Sequence, residues 1–255
     1  MKKIITLFLT LFLITSTSAN DLFLYDAEGK NEFSEVDNNN LVILPSTLGK
    51  TYSLSKNLSI TTSTNGVVTT MLPYRIAVTQ REDSASYYNE SDTEYANKFT
   101  LPEVVRINNH YFNFSSMGQI YVVSEADKQL TIGTSMAMIV FDKAKLYINS
   151  GERFTQVYVV EGIVTVLDNK SSKKKKEINA GDYLVVTPQP MLSPKQMAVS
   201  RNLGSSFSIK DVEDVEKDIH LNEINALQTK LDNVIFVNYD KNIFGFKVND
   251  DSAVK

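Results

Sequence analysis

The sequence predicts a mainly β protein: an antiparallel sandwich, or a barrel-like or solenoid-like stack, followed by a C-terminal amphipathic helix and a β-hairpin. Three observations carry that expectation. Short runs rich in Val, Ile, Thr, Tyr and Phe, broken by Gly, Asn, Asp and Pro, fill residues 41–190. Apolar residues recur at helical steps from Ile209 to Leu231. Two further β-type runs, 234–239 and 243–248, are joined through Asp240-Lys241-Asn242.

Before any of these, Lys2 and Lys3 precede an apolar run from Ile4 to Ile14, and Thr17-Ser18-Ala19 supplies small residues at a cleavage point. That is the pattern of a secretory signal peptide. The run is too short for a membrane anchor, because about 20 apolar residues are needed to cross roughly 30 Å of hydrocarbon. Residues 1–19 are therefore expected to be removed, leaving a periplasmic or secreted chain with no membrane span. Losing Lys2 and Lys3 takes the basic count from 26 to 24 against 30 acidic residues, so the charge moves from -4 to -6. A chain of that charge has no global basic field to hold nucleic acid.

Residues 20–40 read as a polar lead containing Asp37-Asn38-Asn39-Asn40. Strands are expected at 41–44, 59–62, 67–71, 75–79, 119–124, 136–141, 145–148, 155–160 and 163–167. Runs 103–107 and 110–114 flank Asn108-Asn109, a pair suited to the positive φ angles of a two-residue hairpin loop. The polar stretch 80–100, with Tyr87, Tyr88 and Tyr95, reads as a surface loop or an inserted short helix. Pro188, Pro190 and Pro194 mark the exit from the β region into a C-terminal part, 191–255. There, Val212, Val215, Ile219, Ile224, Leu227 and Leu231 form an apolar stripe. Ser208 is the expected N-cap, with Asp211, Glu213 and Asp214 at the positive end of the helix dipole.

Chemistry-bearing constellations are few. The chain has no cysteine, which excludes disulfides, thiolate metal sites and cysteine nucleophiles, and its two histidines are His110 and His220. Gly49-Lys50-Thr51 follows a strand as a phosphate loop would, but Leu44 stands where that motif requires glycine. No Gly-x-Ser-x-Gly elbow occurs. Gly162 and Gly181 frame strands as in a cupin barrel, yet a cupin metal pocket needs several imidazoles. Glu152 and Glu161 are the carboxylates to watch for sugar hydrolysis, which requires a pair meeting in space. The basic run Lys173, Lys174, Lys175 and Lys176 is either a polyanion contact or a charged device that keeps strands soluble.

Thr155-Gln156-Val157-Tyr158-Val159-Val160-Glu161-Gly162-Ile163-Val164-Thr165-Val166, with Ile132-Gly133-Thr134 upstream and Ile178-Asn179-Ala180-Gly181-Asp182 downstream, resembles the FecR domain family over residues 41–190. The resemblance rests on the Gly-Thr step, the alternating valine core ending in Glu-Gly, and the Ala-Gly-Asp turn. It implies a β domain that meets other proteins in the bacterial envelope; the best-known members are transmembrane regulators that control a sigma factor. This chain is expected to lack their cytoplasmic segment and spanning helix, and carries Met136 where an aromatic residue is common. Gly133, Thr134, Glu161, Gly162 and Gly181 accordingly read as structural residues: Val157 and Val159 share one face, Tyr158 and Val160 the other, and Gly162 permits a bend. The expectation is a non-enzymatic, exported module that binds an envelope protein or a cell-wall component, with no cofactor. The alternatives are an envelope structural or adhesion protein and, behind it, a cupin-like or carbohydrate-active enzyme.

Overall fold

The computed structural model describes residues 21–37, 40–54, 58–72, 75–89, 113–126, 129–168, 171–188, 206–210, 214–232, 234–240 and 243–248. The expected signal peptide, His110 and the expected hairpin at Asn108-Asn109 lie outside them. Strands come first: β1 (Asp21–Glu28), β2 (Asn31–Asp37), β3 (Asn40–Leu44), β4 (Thr51–Ser53), β5 (Leu58–Thr62), β6 (Val67–Leu72), β7 (Ile76–Gln80) and β8 (Ser84–Asn89). Then follow β9 (Asn113–Ser124), β10 (Leu130–Gly133), β11 (Ala137–Phe141), β12 (Ala144–Gly151), β13 (Phe154–Asp168), β14 (Ser171–Asn179), β15 (Tyr183–Thr187) and β16 (Ser206–Lys210). Helix α1 (Asp214–Asp232) and the antiparallel pair β17 (Val234–Asp240) and β18 (Ile243–Val248) complete the order.

Sixteen strands form one hydrogen-bonded system that is not closed into a barrel. It folds into two layers because two long strands belong to both. The first layer runs β16-β15-β13-β12-β9-β7-β6-β1-β4, and the second runs β3-β2-β5-β8-β9-β10-β11-β13-β14. In β9 the change of layer falls at Gly118 (φ 93°), in β13 at Gly162 (φ 91°). Opposite the second corner, Lys145 pairs Glu161 while Leu146 pairs Val159, so Val160 is bulged out of register. The two strands expected at 155–160 and 163–167 are thus one 15-residue strand, bent at the Glu-Gly step.

Residues from both layers meet in a common apolar core that includes Leu22, Leu24, Phe33, Ile60, Ile120, Ile148, Val157, Val159, Val164 and Leu184. The period-two rule shows in β12, β13 and β15, where the residues between these core positions, Tyr147, Tyr158, Tyr183 and Val185, belong to a second cluster on the outer face of the first layer. Helix α1 covers that face, lying across β9, β7 and β12. Among its described side chains the buried ones are His220, Ile224, Leu227 and Leu231, at steps of four, three and four.

Three sequence expectations change. The polar lead contributes β1 and β2: Leu22 and Leu24 alternate into the core, and β1 pairs with both β4 and β6. Within the stretch read as a loop or short helix, residues 84–89 form strand β8 between β5 and β9. Ser208 is not an N-cap; it lies in β16 opposite Val185, the helix begins at Asp214, and Ile219 is 56% exposed because the buried stripe passes through His220. One rung also departs from an all-antiparallel sheet, since β10 runs parallel to the start of β9. The chain crosses between layers after β9, so it reaches a parallel neighbour without a long helical crossover.

Candidate functional site

Among the described residues the two layers end at four strands: β4 and β16 in the first, β3 and β14 in the second. An edge strand presents backbone N–H and C=O groups to any chain that can pair with them. β4 is three residues long, which limits pairing. β14 carries Lys173 to Lys176, and Lys175 and Lys176 are exposed. The basic run is on an edge strand: Lys175 and Lys176 are in register with Leu167 and Val166, while Lys173 and Lys174 fall in the register shift beside the β13–β14 turn.

β3 has neither device. Its sequence, Asn-Leu-Val-Ile-Leu, holds no charge, and Leu41 (64%), Val42 (37%) and Ile43 (66%) are exposed on both faces of the strand. Its far end is fixed from below. Leu44 packs against the core and pairs with Phe33, which is buried and stacks on Tyr52 at 4.9 Å between ring centroids. The Tyr52 hydroxyl donates to the carbonyl of Pro45 at 2.6 Å and accepts the N–H of Thr47 at 3.0 Å, clamping the turn that leaves β3. Burial raises the Tyr52 pKa, opposed by the Thr47 hydrogen bond, so the clamp stays protonated at neutral pH. The result is an apolar strand held at one end and, among the described residues, unpaired along its outer side.

The helix-covered face is the second notable region. His220 stacks on Tyr147 with centroids 4.0 Å apart and an interplanar angle of 17°, with Tyr121 and Tyr158 near 6 Å. Polar contacts tie the helix down: Arg81 to Glu223 at 2.8 Å, Gln228 to Glu125 at 2.9 Å, and Lys230 to Asp26 at 2.7 Å and to Thr69 at 3.4 Å. Burial raises the pKa of Tyr121 and of Tyr158, keeping both phenols neutral. Burial also works on Glu125, but hydrogen bonds from Gln228 and Arg75, with the charges of Arg75 and Lys145, hold its carboxyl below the ordinary value.

Beside the C-terminal end of the helix opens a cleft of about 380 Å³, lined by Ser124, Glu125, Lys143, Ala144, Lys145, Glu161, Gln228 and Asp232. Lys145 pairs with Glu161 at 2.7 Å, and Gln228 bridges Glu125 and Asp232. Glu161 thus works as an ion-pair partner at the bulge. Glu152 lies in the turn at the opposite end of the β12–β13 hairpin, seven rises beyond Glu161 by the time β13 begins, or about 23 Å along the strand. The two are not within the roughly 5–10 Å that glycoside hydrolysis requires. No group of three His, Asp or Glu side chains suited to a metal ion occurs among the described residues.

The motif residues are placed as follows. Gly133 ends β10, and Thr134 closes the turn to β11: its N–H donates to the Ala137 carbonyl at 2.8 Å while its hydroxyl accepts the Ala137 N–H at 3.1 Å. The Thr134 hydroxyl also meets that of Thr155 at 2.6 Å, joining the two layers. Gly162 forms the corner already described. Gly181 (φ 91°) lies in the Asn179–Asp182 turn and donates its N–H to the Val159 carbonyl at 2.7 Å. None of these reaches β3. The exposure of β3, the corner at Gly118 and the burial of His220 were missed by sequence reasoning; an isolated glycine inside a β-type run, as in Ser116-Met117-Gly118-Gln119-Ile120, was the available signal for the corner.

No protein-family model matches the chain, and no curated protein matches it. Among solved structures, two crystal structures of a "putative anti-sigma factor" from Parabacteroides distasonis ATCC 8503, at 2.50 Å and 1.65 Å resolution, are each 14% identical to it with a TM-score of 0.41. Each alignment covers 75% of this chain and 84% of the other. Similarity at that level carries no argument for function. No described helix is long and apolar enough to cross a membrane.

Proposed function

We propose that the chain is an exported, FecR-like β module that acts by binding a protein of the bacterial envelope and not by catalysis. The observation that carries this reading is the β3 edge: an uncharged apolar strand, exposed on both faces, in a fold whose opposite edge in the same layer is lined with lysines. Exposed apolar surface is costly in water, at roughly 25 cal/mol per Å², and a patch of it on a sheet edge marks a place of contact. The signal-peptide pattern at residues 1–19 supports export, and the Gly-Thr, Glu-Gly and Ala-Gly-Asp steps support the family likeness.

The test is capture from an envelope extract by the purified chain, compared with the double variant Leu41→Lys/Ile43→Lys. Both side chains are exposed, so the variant keeps the fold, which circular dichroism checks. A defined envelope protein retained by the parent chain and lost from the variant is the expected result. Equal retention by both removes β3 from the function.

A further inference from the structure

Resting on that reading, we infer that β3 takes up an extended segment of the partner, five or six residues long, as an additional strand of the second layer, and that a second copy of this chain is not its occupant. Size separates the two. β3 spans five residues, a strip about 17 Å long and about 10 Å across, so strand pairing there covers on the order of 200–400 Å² per side, whereas a stable interface between folded proteins needs about 800 Å² per partner. Two copies joined through β3 alone fall short. A peptide strand does not need that area, because its affinity comes from main-chain hydrogen bonds along the edge and its selectivity from alternate side chains.

The side chains of β3 set what such a segment carries. Leu41 and Ile43 lie on one face of the strand and Val42 on the other. An extended segment with apolar residues at alternate positions covers Leu41 and Ile43 with its side chains. The anchored end, where Tyr52 clamps the Pro45–Thr47 turn, holds the edge in place before the segment arrives. That lowers the ordering cost of binding.

The experiment uses the purified chain and a fluorescein-labelled peptide, Lys-Val-Thr-Val-Thr-Val-Thr-Lys, followed by fluorescence anisotropy, with the same peptide N-methylated at every internal residue as a second probe. Saturable binding is expected, weakened at least tenfold by Leu41→Lys/Ile43→Lys and abolished by N-methylation. Because lysines on β3 also repel a basic peptide, Leu41→Thr/Ile43→Thr is run in parallel, and a loss of at least threefold is expected there. Sedimentation of the chain alone at 100 μM should show a monomer. A dimer that dissociates on the β3 substitutions assigns the edge to a second copy and overturns the inference. So does peptide binding that survives N-methylation, or no peptide binding at all. If the envelope capture depends on β3 while the peptide fails to bind, strand addition is wrong and the docking reading stands; if both fail, both fall.

Discussion

Gly162 and Gly181 offer a matched pair of perturbations. Both have φ of 91°, in the left-handed region where a Cβ is strained, but their surroundings differ. A Cβ on Gly181 meets nothing within 4 Å, whereas one on Gly162 comes within 2.3 Å of the Lys143 carbonyl oxygen and 3.1 Å of the Ala144 Cα. Gly181→Ala should therefore pay the conformational penalty alone, about 1–2 kcal/mol. Gly162→Ala adds an overlap of more than 1 Å with backbone, relieved only by prising β12 from the bend in β13. Forced overpacking of that kind costs about 1–3 kcal/mol more. At about 2–4 °C per kcal/mol for a domain of this size, the expected fall in Tm is about 2–8 °C for Gly181→Ala and roughly twice that for Gly162→Ala. Thermal and urea unfolding of the two variants beside the parent chain measure the difference. Equal losses would refute the claim that the layers turn at Gly162 through a close backbone approach, and so would a near-neutral Gly162→Ala.

Two further outcomes follow from the helix-covered face. Leu227→Ala removes a buried side chain between α1 and the first layer and should cost about 2–5 kcal/mol, with hydrogen exchange rising first in residues 214–232 and only later in β12 and β13. Uniform exchange across both would mean that helix and sheet unfold as one unit. Acid should loosen the same helix. The Glu125 carboxyl is depressed in the fold, so the stability it supplies is fully present above its unfolded pKa of about 4.3 and is lost as pH falls through the lower folded value. Because the Arg75–Glu125 pair is partly in water, the step is small, roughly 0.2–1 kcal/mol. Urea unfolding from pH 6 to pH 3 should show that step in the parent chain and not in Glu125→Gln; a parent curve identical to the variant's would exclude Glu125 as an anchor.

Local pattern alone determined the β class, most strand positions, the double-sided burial of the Val157–Val160 segment and the bend at Gly162. Alternation of side chains and the backbone freedom of glycine act over two or three residues and need no knowledge of partners. Pairing decided the rest. The run Leu22-Phe23-Leu24-Tyr25 passes as part of a polar lead until β6 and β4 close on it, and Ser208 looks like a cap until β15 offers a ladder. The helix stripe passes through His220 instead of Ile219 because a stack on Tyr147 is available there, a fact about β12 that no helical wheel contains. Above all, residues 41–44 read as one more strand among many. That they lie at an edge, with Leu41 and Ile43 in water, follows from sheet order, which is set by contacts between segments far apart in the chain and leaves no local trace in those residues.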